Sequence, residues 1–241
     1  MAKSKSDLIA QDIASKIQHG QFKAGDFLPS ENDLTTLYGS SQETVRKALQ
    51  QLDSVGMIQK IRGKGSIVLN IDRYSFPISG ITSFQELNKS LGMHAETQVL
   101  TLKKMHDLPA LFKKKFPEQK KQAGIYLERL RLIDDQPVVL DCDYLFSPPI
   151  EDLPREAAEN SIYDYIENKL KLDISYARKV ITVEKIDHEM QKKLCLEDRL
   201  AVLIASHNFL GDTTLFQLTL SFHNPQKFKF VDFARRQKIK L

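Results

Sequence analysis

Hydrophobic residues recur at helical spacing near the start of the chain. Leu8, Ile9, Ile13 and Ile17 fall on one face of a helix that ends near Gly20. A loop that contains glycine and proline follows, and it leads into two further helical segments. The pattern therefore predicts a small helical unit at the beginning of the chain.

A well-defined amphipathic helix is predicted from Gln42 to about Val55, before Gly56. Ser41 can cap its first turn, because the serine hydroxyl accepts a hydrogen bond from an unpaired backbone N–H group. The apolar face consists of Val45, Ala48, Leu49 and Leu52. The opposite face consists of Gln42, Glu43, Arg46 and Lys47. One face is thus suited to packing, and the other is free to contact a partner.

A shorter helix precedes this one. Ser30 and Asp33 have the spacing of a capping box, which predicts a helix that runs through Tyr38. Residues 39–40 leave room only for a tight turn before Ser41. This order of elements is that of a helix-turn-helix.

Two short apolar runs, residues 57–61 and 66–69, flank the basic turn RGKG at residues 62–65. The turn has two glycines for unusual backbone angles and two cations at its tip. A two-stranded wing of this kind, beside a helix that carries Arg46, can contact DNA phosphates through counterion release. The alternative is a small helical domain whose charged face is only solvated.

The rest of the chain combines strand-like runs with short helices. Strands are predicted at residues 96–104, 125–133, 138–146, 176–185, 201–209, 214–223 and 228–233. Helices are predicted within residues 80–92, 160–166 and 187–195. The lysine-rich segment 103–122 is interpreted as a solvated surface helix rather than a DNA contact. This pattern predicts an α+β second domain with an antiparallel sheet.

The hairpin at residues 125–146 carries a candidate binding site. Alternation places Arg129 and Arg131 on one face of the first strand, and Asp141 and Asp143, with Val139, on one face of the second. These residues could form cross-strand ion pairs that stabilise the sheet. They could equally clamp a phosphate group and accept from sugar hydroxyls, because guanidinium groups match phosphate oxygens. The pattern does not choose between the two.

Ser161 lies near the start of a predicted helix. It could cap that helix, or it could help to hold a phosphate group, because helix N-termini favour anions. The two roles are compatible.

Composition narrows the class of protein. The 241 residues allow two domains, and a net charge of +4 requires any nucleic-acid binding to come from local clustering of cations. Cys142 and Cys195 lie far apart, which favours a reduced cytoplasmic setting over a disulfide framework. No apolar run is long enough to span a bilayer.

The segment LPSENDLTTLYGSSQETVRKALQQLDSVGMIQKIRGKGSIV resembles the winged helix-turn-helix of GntR-type bacterial repressors, over residues 8–69. This resemblance implies that the second helix of the helix-turn-helix, which begins at Gln42, contacts DNA and that the wing enters the minor groove. The residues it assigns to DNA are Ser30, Glu31, Gln42, Thr44, Arg46, Lys47, Arg62, Gly63, Lys64 and Gly65. Asn32 and Gln42 stand where many family members have arginine. Both side chains can read adenine, so an altered operator preference is expected.

Residues 80–233 resemble the effector-binding (UTRA) domain of the HutC subfamily, which is similar in fold to chorismate lyase. SGITSFQEL, ENSIYDYIENKLKLDISYA and KFKFVDFARR carry the likeness, which is greatest to repressors of trehalose operons. The resemblance implies a phosphorylated sugar as effector, trehalose 6-phosphate. It assigns the phosphate to Ser83 with the adjoining Phe84, Arg129, Arg131 and Ser161, and the sugar to Asp141 and Tyr163. Leu220 and Phe222 occupy positions where relatives usually have a glutamate and a polar or basic residue, which implies an altered sugar contact and a weaker or altered ligand choice.

Together these features predict a cytoplasmic, homodimeric repressor that binds a palindromic operator in double-stranded DNA. The expected domains are a winged helix-turn-helix at residues 1–70, a linker at 71–79 and a UTRA effector-binding and dimerisation domain at 80–241. No cofactor, metal or membrane partner is expected. An enzyme is the competing class, but no nucleophile elbow, metal-ligand spacing or glycine-rich phosphate loop is present. A third class is an architectural DNA-binding protein that lacks an effector.

Overall fold

The computed structural model describes residues 4–54, 57–61, 63–69, 81, 83–91 and 95–229. These residues form two compact units, one mainly from residues 4–69 and the other mainly from residues 83–88 and 95–228. Each unit has its own hydrophobic core. Among the described residues, no helix has both the length and the apolar character to cross a membrane.

The first unit contains three helices: α1 (Lys5–Gln18), α2 (Glu31–Tyr38) and α3 (Gln42–Ser54). The predicted capping box at the start of α2 is confirmed, because the Asp33 N–H donates to Ser30 Oγ and the Asp33 carboxylate accepts from the Ser30 N–H. Gly39 ends α2 with a left-handed φ of 52°. Ser41 Oγ accepts from the Thr44 N–H at 3.3 Å, as expected of a cap for α3. Residues 55–56, where α3 was expected to end, lie outside the described residues.

The apolar faces of these helices pack together as predicted, with one exception. The buried residues are Ile9, Ala10, Ile13, Ile17, Leu28, Leu34, Val45, Ala48, Leu49, Leu52, Ile58 and Val68. Leu8, which the sequence pattern placed with them, is 52% exposed. It lies one residue before Ile9, and at 100° per residue this turns Leu8 away from the side of the helix on which Ala10, Ile13 and Ile17 lie.

A two-stranded antiparallel wing follows the helices. Strands β1 (Ile58–Ile61) and β2 (Gly65–Val68) pair with Ile58 opposite Val68 and Ile61 opposite Gly65. The loop before α2 is attached to this wing, because the Leu28 N–H donates to the Ser66 carbonyl at 2.8 Å and the Val68 N–H donates to the Asp26 carbonyl at 2.8 Å. The predicted winged helix-turn-helix is therefore confirmed.

The second unit is a six-stranded antiparallel sheet with helices on both faces. Its strands are β3 (Ala95–Met105), β4 (Gly124–Ile133), β5 (Gln136–Phe146), β6 (Ile174–Lys185), β7 (Leu200–Leu210) and β8 (Leu215–His223). Their order across the sheet is β3-β4-β5-β8-β7-β6. The predicted α+β class is confirmed. Residues 228–229 are described, but the remainder of the strand expected at 228–233 lies outside the described residues.

The helices of this unit are α4 (Phe84–Leu91), α5 (Ala110–Lys115), α6 (Arg155–Glu159), α7 (Ile162–Asp164), which continues as one π-helical turn (Tyr165–Lys169), and α8 (His188–Lys193). The lysine-rich segment is helical only at α5. Phe112 and Phe116 are fully buried there, so α5 is a core element as well as a charged surface. The segment 71–79, the predicted linker, lies outside the described residues.

The two faces of the sheet carry separate apolar cores. One contains side chains from α5 and the even-numbered positions of β5, including Leu140, Cys142 and Tyr144. The other contains residues of α6, α7 and the π-helical turn, including Ala158, Ile162 and Ile166. This second face also carries the buried arginine–aspartate pairs of β4 and β5.

Candidate functional site

The polar face of α3 and the tip of the wing are exposed in the first unit. Gln42, Arg46 and Lys47 are exposed on α3, whereas Thr44 is half-buried and its Oγ1 shares a hydrogen bond of 2.8 Å with Ser41 Oγ. Residues 63–65 are exposed at the wing tip. Gly63 and Gly65 have φ values of 78° and 106°, which explains why the turn needs glycine at both positions. Arg62 lies outside the described residues.

An ion-paired cluster joins α2, α3 and the wing. Glu31 accepts from Arg46 Nε at 2.8 Å and from Lys60 Nζ. Hydrogen bonds from Lys60 and then from Arg46 lower the pKa of Glu31 below its usual value. Glu31 therefore positions two cations and is not itself suited to contact a phosphate. The sequence interpretation missed Lys60. Period-two alternation could not have found it, because Lys60 lies two residues after the buried Ile58, and only its charge next to the basic turn points to a role.

Two buried ion pairs lie side by side in the second unit. Arg129 Nη2 donates to Asp143 Oδ2 at 2.7 Å, and Arg131 Nε donates to Asp141 Oδ2 at 2.9 Å. Arg129 lies directly opposite Asp141, and Arg131 lies opposite Val139, so each arginine pairs diagonally with the residue two positions further along β5. The side chains of Arg129 and Asp143 are only 7% and 1% exposed. The prediction that these four residues share one face is confirmed.

Strand β8 completes the polar cluster with three side chains that the sequence interpretation missed. Gln217 Nε2 and Thr219 Oγ1 each donate to Asp143 Oδ1 at 2.8 Å. Ser221 Oγ donates to Asp141 Oδ1 at 2.5 Å. Their polar character at alternate positions of a strand with an apolar other face is the signal that could have identified them.

Leu220 and Phe222 lie on the opposite face of the same strand. Both are buried in the apolar core that contains Leu140 and Cys142. The expectation that they alter a sugar contact is therefore wrong, because successive side chains of a strand point to opposite faces of the sheet. The positions of β8 that face the two aspartates are Gln217, Thr219 and Ser221.

The start of α4 lies against Arg131. The Phe84 ring centroid is 4.7 Å from the Arg131 guanidinium carbon, a cation–π contact. Ser83 caps α4, because the Glu86 N–H donates to Ser83 Oγ at 3.1 Å and the Ser83 N–H donates to Glu86 Oε2 at 2.7 Å. The backbone at residues 83–84 is thereby held next to one arginine of the pair.

The segment around α7 lies against the other arginine. Arg129 Nη1 approaches the Ala158 carbonyl at 3.4 Å. Ser161 Oγ accepts from the Asp164 N–H at 3.2 Å, so the capping role considered for Ser161 is confirmed. Burial and then the charge of Asp143 raise the pKa of Tyr163, which therefore stays protonated. The structure thus brings Phe84, Tyr163 and the two arginines to one face of the sheet.

The cluster leaves two buried polar atoms without a partner among the described residues: Arg129 Nε and Gln217 Oε1. One is a donor and the other an acceptor. Buried polar atoms are normally hydrogen-bonded, so this pair marks a place where a ligand can supply the missing partners. Within the same described residues, no group of three or more His, Cys, Asp or Glu side chains could hold a metal ion.

The ionisation states of the cluster follow from its geometry. Burial and then the neighbouring charge of Arg129 lower the pKa of Arg131 to about 10, so Arg131 stays charged at neutral pH. Burial alone would raise the pKa of Asp141, but the charges of Arg131 and Arg129 outweigh burial and lower it. The site therefore holds two cations and two anions.

His223, at the end of β8, makes the second unit sensitive to acid. Burial lowers the pKa of His223 to about 4, although the charge of Asp141 opposes the shift.

The unfolded chain binds a proton at His223 near pH 6.5 and the folded chain does not, so we expect stability to fall as the pH drops from about 6.5 to about 4. The expected loss is about 3 kcal/mol. Urea unfolding at several pH values would measure it, and His223→Gln should flatten this part of the profile. An unchanged profile in His223→Gln would contradict the assignment.

Comparison with known proteins agrees with this organisation. Residues 5–68 match the family described as bacterial regulatory proteins, gntR family, and residues 90–229 match the UTRA domain. The HTH-type transcriptional regulator TreR of Bacillus subtilis is 45% identical over 240 residues, which cover 99% of this chain and 100% of that protein.

Two solved structures are also similar. The crystal structure of the possible transcriptional regulator YydK from Bacillus subtilis has a TM-score of 0.77 at 24% identity and covers 97% of this chain and 100% of that one, which supports the fold alone. The effector binding domain of the B. subtilis trehalose repressor (TreR) has a TM-score of 0.51 at 38% identity and covers 59% of this chain and 99% of that one. The chain therefore belongs to the GntR family of bacterial regulatory proteins, as a transcriptional regulator with a UTRA domain.

Proposed function

We propose that this regulator represses a trehalose-utilisation operon and is released from its operator by trehalose 6-phosphate. The observation that carries the proposal is the pair of buried arginines, held by two aspartates and surrounded by hydroxyl and amide groups. Guanidinium groups suit a phosphate, and the surrounding polar side chains suit sugar hydroxyls. The full-length likeness to TreR and the likeness to the effector binding domain of the trehalose repressor support the same ligand class.

The proposed effector contacts divide by chemistry. Arg129, Arg131, Ser161 and the backbone beside Ser83 and Phe84 hold the phosphate, which also lies near the start of α4. Asp141 and Tyr163 face the sugar, and Gln217 joins them through its unpartnered oxygen. Asp141 is the more accessible of the two aspartates, with 13% of its side chain exposed.

On the DNA side, the exposed polar face of α3 is proposed to enter the major groove, with Gln42 at base edges and Thr44, Arg46 and Lys47 near the backbone. Ser30 and Glu31 act indirectly, since they cap α2 and hold Arg46. Lys60 adds a cation beside the wing. The domain boundaries proposed are residues 1–70, 71–79 and 80–241.

A homodimer is proposed because two-fold protein symmetry matches a palindromic operator whose half-sites lie about one turn of duplex apart. Strand β6 is an edge of the sheet and exposes Val180, Ile181 and Val183, which suits contact with a second copy. Sedimentation tests this part: a monomer that still binds a palindrome tightly would contradict it. A cytoplasmic location is part of the same proposal, because the proposed partner is chromosomal DNA.

Release requires the effector to bind the DNA-free conformation more tightly than the DNA-bound one, because a ligand with equal affinity for both shifts nothing. The test is fluorescence anisotropy of an operator fragment at fixed salt, titrated with trehalose 6-phosphate, trehalose and glucose 6-phosphate. Release by trehalose 6-phosphate alone is expected. Tight DNA binding that none of the three alters would refute the proposed effector. Release by glucose 6-phosphate alone would assign a different sugar phosphate, and turnover of any of the three would revive the enzyme class.

A further inference from the structure

We propose that the ion pair between Arg129 and Asp143 makes the effector site reject inorganic phosphate, so that a phosphate group is bound only when a sugar carries it. The proposal rests on the proposed function, because it concerns the same site. It assigns a positioning role to Asp143, a residue to which the family resemblance gave no ligand contact.

The first step is the charge balance of the site. Each arginine is already paired with an aspartate, at 2.7 Å or 2.9 Å. None of the four side chains is more than 13% exposed. A phosphate dianion that enters must share the arginines with carboxylates that are already bound to them. Arginines without such partners would attract any phosphate strongly, because charge-assisted bidentate contacts are strong wherever water is excluded.

The second step concerns the carboxylate of Asp143. It accepts three hydrogen bonds, from Arg129 Nη2, Gln217 Nε2 and Thr219 Oγ1, and it is 1% exposed. A carboxylate with that many donors and so little exposure is fixed in place. Asp143 therefore acts on a ligand through Arg129 and Gln217 and does not need to touch it.

The third step concerns the two atoms that Asp143 leaves available. Arg129 Nε and Gln217 Oε1 have no partner among the residues that the structure describes, and both belong to side chains that Asp143 holds. Sugar hydroxyls both donate and accept, so a sugar can supply a partner to each of the two atoms. A phosphate ion between the two arginines offers mainly acceptors. Hydrogen bonds to the sugar therefore add affinity that inorganic phosphate cannot obtain. The site discriminates between the two ligands through this difference in affinity.

The Asp143→Asn substitution tests the charge and the hydrogen-bonding pattern of Asp143 without a change in side-chain size. The amide keeps the size of the side chain but leaves the charge of Arg129 uncompensated, and it alters the donor and acceptor pattern that holds Gln217. We expect the affinity for inorganic phosphate to rise at least tenfold, and the preference for trehalose 6-phosphate over phosphate to fall at least tenfold. Damage to the fold would lower both affinities and could not raise one of them.

The experiment is isothermal titration calorimetry of the full-length protein with inorganic phosphate and with trehalose 6-phosphate, at equal ionic strength and pH. The matched control is Glu128→Gln. Glu128 lies on β4, the strand of Arg129, but on the opposite face of the sheet, where it is ion-paired with Lys193 at 2.7 Å and is 10% exposed. This control should leave both affinities unchanged.

Two results would overturn the proposal: wild-type affinity for inorganic phosphate within tenfold of that for trehalose 6-phosphate, or an unchanged preference in Asp143→Asn. The wild-type comparison needs no variant, so it can overturn the proposal even if Asp143→Asn does not fold, and Asp143→Ser then tests the role of the ion pair with a second neutral side chain. If the wild type binds trehalose 6-phosphate and Asp143→Asn gains no phosphate affinity, this inference alone fails. If Asp143→Asn gains phosphate affinity while the sugar phosphate leaves DNA binding unaltered, the proposed effector fails and this inference stands.

Discussion

Arg131→Ala is expected to weaken the response to trehalose 6-phosphate at least a hundredfold and to destabilise the second unit by about 3–5 kcal/mol. The loss of stability follows because Asp141 would remain buried without its cation. The contact of the guanidinium group with the Phe84 ring and its hydrogen bond of 2.5 Å to Thr97 Oγ1 would also disappear. Half-maximal release of the operator should then require at least a hundredfold more effector, because two charge-assisted hydrogen bonds to phosphate are worth about 3 kcal/mol or more.

Effector titrations of the operator complex and urea unfolding would measure the two effects. Arg131→Lys is the informative second variant, since it keeps the charge but cannot form the planar bidentate contact. We expect Arg131→Lys to recover most of the stability and little of the effector response. A normal response in Arg131→Ala, at a temperature where the variant is folded, would remove Arg131 from the effector site.

The second large effect is expected in the first unit, where Arg46→Ala and Gln42→Ala should differ in kind. Arg46→Ala should weaken binding to operator and random DNA alike, by about tenfold or more, because a charge-assisted contact to the DNA backbone is lost. The salt dependence of binding should decrease by about one phosphate contact. Gln42→Ala should chiefly lower the preference for the operator, by about 1–3 kcal/mol, because base edges are read by side chains of this kind.

Anisotropy with operator and random duplexes at several salt concentrations would separate the two variants. Lys47→Ala serves as a control on the same helix, since Lys47 is exposed and its nearest carboxylate, of Glu43, is 3.6 Å away. It should cause a smaller general loss. If Arg46→Ala and Gln42→Ala lost affinity equally on operator and random DNA, the division between backbone and base contacts would be incorrect.

Features that depend on neighbouring residues were predictable from the sequence. Ser30 and Asp33 are three positions apart, and so are Ser161 and Asp164. The residue types at this spacing are enough to predict both caps. The hairpin of β4 and β5 was also predictable, because alternation and a short turn specify it. The turn itself is tighter than expected. Asp134 and Asp135 form it alone, with φ values of 49° and 60°, and Pro137 lies within β5.

Features that depend on distant residues were not predictable. Asp143 contacts Gln217 and Thr219, which are 74 and 76 residues away in the chain, and their meeting depends on the pairing of β5 with β8. Lys60 and Glu31 are 29 residues apart and meet only when the wing packs beside α2. The assignment of Leu220 and Phe222 failed for a different reason: resemblance supplied positions in the strand, and the local alternation that fixes the face of each position was not applied to them.

The separation of the two faces of β8 has a consequence for how such regulators diversify. Mutations at positions 217, 219 and 221 alter the chemistry around the two aspartates, while positions 218, 220 and 222 maintain the packed interior. Under the proposed function, substitutions on this one face can change effector preference while the packed core on the other face is kept, although each removes a hydrogen bond to a buried aspartate and so lowers stability. How far this one face of β8 can diverge is therefore set by the number of hydrogen bonds that the two buried aspartates can lose before the sheet unfolds.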